Sequence, residues 1–506
     1  MFKIRLKRHM SLPLKILIVS FVLLHVKWLH AEVTLLNEVL ITDSGLHFDG
    51  RKVGKDAQTS ATNTYDYYFG RSISAHGDSI KVYQEYVFMT WYRGGKFDRR
   101  VMLTRLNTKT GSIQHIAFPH RHTGFRNMWW IGESHNAIAV AISPINETIH
   151  LLYDMHAYSA KKPSDGSLAT DYFRYSYSVP GAATVADEDF TLAQFVPDES
   201  PISTGDYDYK HLTMTGTIDP SQFAGLTYPT FFTNTDGTLL MYMRKGGNNN
   251  GGYVFNRYDA ENQVWSDFTQ FNVLNASNHG LAYDWGLYGN MKYVNGKLRV
   301  GFQRRSSNNN DKYQYQNGFY YAYSDHPDGF GEWKTHNGEV IPFPLVDADD
   351  IKIFEPGDLV KTTTPNQVSI VRGFDWNVTE KGDVHLIGTV IDKENKDTVH
   401  VHTYKPAGAS EFITSTDFAG ASEIYTAGDD IYIIGLTRDG YPFVEKAQGG
   451  TNEFSRIYQG RGGKRFDHGK VHISQGKLYY YLMERGSGSA QPLYLQIIDL
   501  DIVDKS

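Results

Sequence analysis

Asn295-Gly296-Lys297-Leu298-Arg299-Val300-Gly301 reads as a two-residue turn feeding a strand, because Asn-Gly is the pair that accepts the positive φ angles of a tight hairpin. Six further stretches share the build: Tyr86-Val87-Phe88-Met89-Thr90-Trp91-Tyr92, Asn146-Glu147-Thr148-Ile149-His150-Leu151-Leu152-Tyr153, Asp236-Gly237-Thr238-Leu239-Leu240-Met241-Tyr242, Gly382-Asp383-Val384-His385-Leu386-Ile387, Asp429-Asp430-Ile431-Tyr432-Ile433-Ile434 and Gly476-Lys477-Leu478-Tyr479-Tyr480-Tyr481. They recur at intervals of about 45 to 90 residues, one four-stranded unit each, with long insertions in three. The expected fold is all-β, a seven-bladed β-propeller formed by residues 32–506 as one domain. Val33-Thr34-Leu35-Leu36 and Val39-Leu40-Ile41 read as a strand that closes the ring against the last blade and removes its open edge.

Composition agrees: 34 Tyr and 28 Phe with 47 Gly and 17 Pro describe many short strands joined by Gly-bearing turns. There is no Cys, which excludes disulfides, thiolate metal sites and a cysteine nucleophile. Lys3, Arg5, Lys7, Arg8 and Lys15 precede the apolar run Ile16 to Leu24, and Leu29-His30-Ala31 ends in a small residue suited to signal peptidase. The run falls short of the roughly 20 residues a spanning helix needs. The expectation is a signal peptide over residues 1–31, a secreted or periplasmic mature chain, and no membrane insertion once the signal is cut.

Six of the 50 Lys and Arg, and no acid, lie in that segment, so the formal charge of −6 becomes −12 on its removal. Such a balance argues against nucleic acid as a partner. It allows an acidic polysaccharide held in a locally positive cleft. The chain is expected to be monomeric.

The chemistry clusters on two hairpins. If Ile142 faces Ile149 across the turn at Ser143 to Thr148, the ladder sets His135 opposite His156, with Cβ atoms about 5 Å apart. Asp154 sits beside His156, where orienting an imidazole is its natural task. About the Asp236-Gly237 turn, Tyr228 comes opposite or diagonal to Arg244 at the same end of the next blade, and Arg305 ends the matching strand after that. Gly246-Gly247-Asn248-Asn249-Asn250-Gly251-Gly252 reads as a mobile or ligand-facing loop. His120 to Trp130, which holds Arg126 and Trp129, closes one blade on the next or forms a sugar platform with a cationic rim. Residues 159–205 are expected as loops over one mouth of the ring, and residues 345–455, blades five and six, as structural.

A glycosidase needs two free acids across its cleft, and none is evident. Histidine, tyrosine and arginine suit β-elimination from a uronic acid, in which the C5 proton leaves, the C4 oxygen is expelled and charge gathers on the carboxylate. Arg244 can neutralise that carboxylate with a fork of donors. A neighbouring cation would favour the phenolate of Tyr228, and His135 would serve where the two protons lie on opposite faces of the sugar. The alternatives are a noncatalytic polysaccharide-binding propeller and a glycoside hydrolase of the same fold.

His135-Asn136, Tyr153-Asp154-Met155-His156, Tyr228-Pro229, Arg244 and, more weakly, Arg305 resemble the ulvan lyases, secreted polysaccharide lyases with a seven-bladed propeller among the neuraminidase-like repeat proteins. The resemblance covers nearly all of residues 32–506. It implies endo-acting β-elimination in ulvan, a polymer of sulfated rhamnose with glucuronic or iduronic acid, giving a 4,5-unsaturated product. It makes Tyr228 the acid/base, His135 and His156 the partner base and substrate-orienting histidines, and Arg244 the carboxylate neutraliser. Expected contacts to this acidic sulfated polysaccharide are Arg305, Arg126, Tyr288, His211, Lys210 and Trp129. No cofactor is required for the chemistry. Some relatives hold a metal ligated partly by Cys. With none here, such a site is absent or built otherwise, its ligands unassigned, and a structural calcium stays open without a recognisable loop.

Overall fold

Each of the seven turns read from the sequence joins the first and second strands of a sheet. The computed structural model describes residues 33–50, 66–68, 70–95, 97–125, 131–153, 155–156, 173–199, 208–216, 219–308 and 310–502. The expected signal peptide lies outside them. The Asn295-Gly296 turn has φ of 49° and 67°, and Val294 pairs with Lys297 across it, the geometry for which Asn-Gly is selected.

Blade one comprises Ile80–Tyr83, Tyr86–Tyr92, Arg100–Asn107 and Ile113–Arg121; blade two Ile138–Ile142, Ile149–Tyr153 and Tyr175–Tyr177. Blade three comprises Leu226–Thr233, Leu239–Gly247 and Asn250–Asp259, edged by Val264–Trp265 and Thr269–Gln270; blade four Trp285–Val294, Lys297–Ser306, Gln316–Ser324 and Trp333–Lys334. Blades five and six begin at Val368–Val378 and Tyr425–Ala427, and each has four strands. Blade seven comprises Phe466–Ser474, Lys477–Glu484 and Ala490–Asp499, completed by Thr34–Leu46. Thr34 pairs with Asp499 and Leu46 with Ala490, so the N-terminal strand closes the ring as expected. Blade two departs from four strands. Among the described residues its outer edge is held by isolated bridges, Tyr175 with His211 and Ser178 with Phe195.

Ring closure also shows in the core, which falls into seven apolar clusters, one at each junction of neighbouring blades. Strand period divides the side chains between junctions. Ile138, Val140 and Ile142 pack toward blade one with Val101 and Leu103, while Ala139 and Ala141 pack toward blade three with Phe231 and Met241. Each large buried side chain contributes about 1.5–3 kcal/mol, and a one-residue slip would exchange small for branched residues at both junctions.

The insertion after blade two does not stand over the mouth in its described part. Phe190 and Phe195 enter the junction of blades one and two, and Arg105 Nη2 meets Asp187 at 2.9 Å. At the opposite end of the sheets a cavity of about 1240 Å³ is lined by residues of all seven blades.

Candidate active site

Ile142 pairs with Ile149 and Ile138 with Tyr153, the register read from the sequence. Regular pairing stops at Ile138, and His135 occupies the turn that follows Gly132–Glu133. The hairpin is prolonged by a side chain: Asn136 Oδ1 accepts the His156 N–H at 2.6 Å. The His135 and His156 rings come together with centroids 4.4 Å apart, and Tyr228 lies 5.5 Å from each.

What organises the pair is Glu133, which reading the sequence missed. Its side chain is fully buried; one carboxylate oxygen lies 2.9 Å from His135 Nδ1 and the other 3.2 Å from His156 Nδ1. Glu133 Oε1 also accepts the His135 backbone N–H at 2.9 Å, and Glu133 N donates to Nε2 of buried His122 at 3.2 Å. Burial pushes this carboxyl up, but the hydrogen bonds from His135 and His156 outweigh it and hold the group down at about 2. Both Nδ1 atoms are turned onto one carboxylate, and both residues line the cavity. Tyr228 Oη, 3.4 Å from His156 Nε2, then donates to it. Asp154, the carboxylate expected in this role, lies outside the described residues. Counting along a strand does not point to Glu133, because a turn follows it and carries His135.

Tyr228 stands on a bulge. Thr227 pairs with Arg244 and Thr230 with Tyr242, so Tyr228 and Pro229 together stand opposite Met243, one residue more than the partner strand. Pro229 has no N–H for the ladder, and Tyr228 adopts φ of 57°, a conformation costing a bulky residue about 1–3 kcal/mol. The phenol is raised well above its ordinary value by burial and then by Tyr288; Arg244 pulls the other way and does not balance them. The expected phenolate is therefore not the resting form, because desolvation exceeds the attraction of the cation.

Arg244 is buried, with its guanidinium 4.3 Å over the Tyr288 ring. Nε donates to Leu287 O at 3.0 Å, Nη1 to Gly246 O at 3.2 Å, and Nη2 to Gly247 O at 2.6 Å and Asn248 O at 3.3 Å. The donor fork expected for a substrate carboxylate is thus turned onto backbone, and Arg244 lines a separate pocket of about 200 Å³ shared with Tyr228 and Tyr288, not the main cavity. The Gly-rich run is a turn between paired strands, and it faces the cavity through Gly246 and Asn248. Strands reach Gly247 and resume at Asn250, and a Cβ at Gly251 or Gly286 would clash with Arg244 Nη2.

Tyr288 and Arg305 line the cavity, and Arg305 Nε donates to Asn249 Oδ1 at 2.7 Å. Lys210 and His211 do not line it. They sit at the outer edge of blade two, where His211 Nε2 lies 3.0 Å from Val196 O. Arg126 and Trp129 lie outside the described residues. Blades five and six contribute more than expected, placing Asp375 and Glu423 on the cavity wall. Each is tied to a lysine, Asp375 to Lys292 at 2.8 Å and Glu423 to Lys470 at 2.7 Å, as Asp78 is to Lys81. Among the described lining residues no two free carboxylates face each other, as hydrolysis would need. Glu133, His135 and His156 carry ligand-type atoms within 4.8 Å of one another and could hold a metal ion.

Residues 86–416 match the model of a BNR repeat-containing family. Turns after the third strand fit a repeat: Asn107 Oδ1 accepts two backbone N–H groups in blade one, as Asp259 Oδ1 does in blade three. The chain is 58% identical over 482 residues to an ulvan lyase, short isoform, of Alteromonas sp. (strain LOR), covering 93% of this chain and 91% of that protein. The chain belongs to the ulvan lyase family. It is 61% identical over 496 residues to a long-isoform ulvan lyase of an Alteromonas species, covering 97% of this chain and 49% of that protein. It thus spans about half the length of the long isoforms it matches. The crystal structure of the polysaccharide lyase Uly1 superposes with a TM-score of 0.88 at 54% identity, over 92% of this chain and all of that one. Membership in the ulvan lyase family agrees with the propeller and with the cavity at its axis.

Proposed function

We propose that the chain is an endo-acting polysaccharide lyase that cleaves ulvan by β-elimination at the uronic acid, leaving a 4,5-unsaturated sugar at the new end. The observation that carries this reading is the line of groups Tyr228, His156, Glu133, His135 on the wall of an open cavity whose other described acids are paired with lysines. Its ulvan lyase relatives support the substrate.

In the proposed reaction His135 Nε2 takes the C5 proton, and the electron pair of the C5–H bond becomes the C4–C5 double bond. The C4–O bond breaks with its pair on oxygen, and the protonated phenol of Tyr228 supplies a proton to that oxygen. Tyr228 is reloaded through His156, and the proton on His135 leaves to solvent, so the net change moves one proton from C5 to O4. Glu133, held as an anion, stabilises the imidazolium that forms on His135. The cationic charge of Arg244 offsets the charge that gathers on the carboxylate, and loss of one such stabilising group costs on the order of 3 kcal/mol. No cofactor enters these steps. With residues 1–31 read as a signal peptide, the enzyme is exported and works as a monomer on an acidic sulfated polysaccharide.

Elimination leaves a double bond conjugated to the carboxylate, an ultraviolet chromophore that hydrolysis cannot make. Absorbance should rise in step with chain cleavage of ulvan. Tyr228→Phe removes the donated proton and should abolish the rise while the fold stays intact. Cleavage without absorbance would establish a hydrolase, and binding without cleavage a noncatalytic propeller.

A further inference from the structure

Blade four presents a second recognition surface to the cavity. Gln303 and Arg305 are two apart on one strand and so share a face. Tyr288 pairs with Gln303 on one side, and Gln316 pairs with Arg305 on the other. All four side chains line the cavity. Gln303 is 2% and Gln316 5% exposed, yet Gln303 Nε2 and Gln316 Oε1 have no hydrogen-bond partner in the protein. A buried amide left this way costs about 1–3 kcal/mol, a penalty that persists in folded proteins where a ligand or water completes the bond.

The aromatic and cationic parts of a site stand next to these amides. Tyr315 lines the same cavity and is 38% exposed. The guanidinium of Arg305 lies 5.2 Å from its ring centroid, and Lys393 Nζ, at the end of the second strand of blade five, lies 5.8 Å from it. One accessible ring flanked by two cations, beside a buried donor and a buried acceptor, matches a sugar that offers an apolar ring face, hydroxyls and an anionic substituent.

We propose that Gln303, Gln316, Tyr315 and Lys393, with Arg305, form a subsite for a sulfated sugar ring next to the ring being cleaved. This rests on the reading of the cavity as one that cuts a sulfated uronate polymer. The uronate carboxylate is held at the reacting centre by that reading, so a second cationic pocket in the same cleft takes the other kind of anion, the sulfate ester. Sulfate stays ionised at every working pH, so the contact discriminates by charge and not by proton exchange.

The test compares kcat/KM on native and on chemically desulfated ulvan, followed by the ultraviolet chromophore. In Lys393→Ala and in Tyr315→Leu the ratio of the two should fall about fivefold, mostly through KM, as loss of a partly exposed cation or stacking partner implies. Gln303→Leu should raise KM on both polymers, because it removes a hydroxyl partner. Lys381→Ala, an exposed lysine at the far turn of blade five, serves as a control and should leave the ratio at its wild-type value. A ratio unchanged in both Lys393→Ala and Tyr315→Leu, with thermal midpoints intact, overturns the subsite. Wild-type protein that produces no chromophore from either polymer sinks the elimination reading instead. The subsite is then decided by binding of the two polymers to the same variants, and equal loss of affinity for both refutes it.

Discussion

Two pairs of histidines in this propeller are alike in sequence terms and opposite in physical ones. His135 and His156 flank a hairpin in blade two, and His385 and His402 face each other on adjacent strands of blade five with rings 5.2 Å apart. In blade five every nitrogen is used. Gly450 N donates to His385 Nε2 at 3.1 Å, so His385 Nδ1 carries its hydrogen to His402 Nε2 at 2.9 Å, and His402 Nδ1 donates to Asn452 Oδ1 at 2.6 Å. Both rings are fully buried. Burial drives both below their ordinary value, His402 to about 4. In blade two a carboxylate lies against both Nδ1 atoms, Tyr228 meets His156 Nε2, and both histidines line a cavity. One histidine pair completes a buried hydrogen-bond chain, and the other shares a buried carboxylate on the wall of a cavity.

That contrast can be broken most sharply by deleting one ring from each pair. His135→Ala should lower kcat on ulvan by about 10²–10⁴-fold, the range of a lost general base, with the thermal midpoint little changed. A loss below tenfold would remove His135 from the base role. Next in size is Glu133→Gln, which keeps the shape but discards the charge behind both rings, and kcat/KM should fall about a hundredfold. Without that anion the imidazolium is less favoured, so the acid limb of the pH profile should move to lower pH. A merely structural Glu133 would lower the yield of folded enzyme and leave the limb in place.

The smallest effect on catalysis belongs to blade five. His402→Leu should leave kcat of the folded enzyme near wild type while costing about 1–3 kcal/mol of stability, because it strands Asn452 and His385. Its pH dependence carries a sign. The folded value, about 4, lies below the ordinary value of 6.5, so the unfolded chain binds the extra proton between those limits. Stability is full above about 6.5 and falls with pH through that window, by up to about 1.4 kcal/mol per pH unit for one site. Denaturant midpoints measured from neutral to acid pH should show a shallower fall in His402→Leu, and an unchanged slope would mean that other buried histidines, such as His150, held at about 3 by burial, carry the acid lability.

Much of the site could be read without coordinates because it depends on counting along a ladder. From the turn at Ser143 to Thr148, the pairing of Ile142 with Ile149 brings His135 to His156 whether or not the strand stays regular that far. Counting failed where the chain leaves the ladder. Glu133 precedes the hairpin and reaches both histidines through a turn. Tyr228 is turned into the cavity by a bulge that pairing rules do not supply. Lys210 and His211 looked like mouth residues by composition, yet the insertion that carries them returns to the outer edge of blade two.

The sequence by itself determined the seven hairpins, their turns and the closing strand, since turn φ angles and a period of two are local properties of the chain. It also brought His135 and His156 together. Only the tertiary structure decided what the charges do. Arg244 spends its donors on carbonyls of its own glycine turn and the next blade, Tyr228 keeps its proton because burial exceeds the pull of that arginine, and the cavity acids of blades five and six are neutralised by lysines of blades four and seven. Desolvation and Coulomb energy depend on which residues of different blades come within a few ångströms, and that is set by the closing of the ring and not by any stretch of sequence.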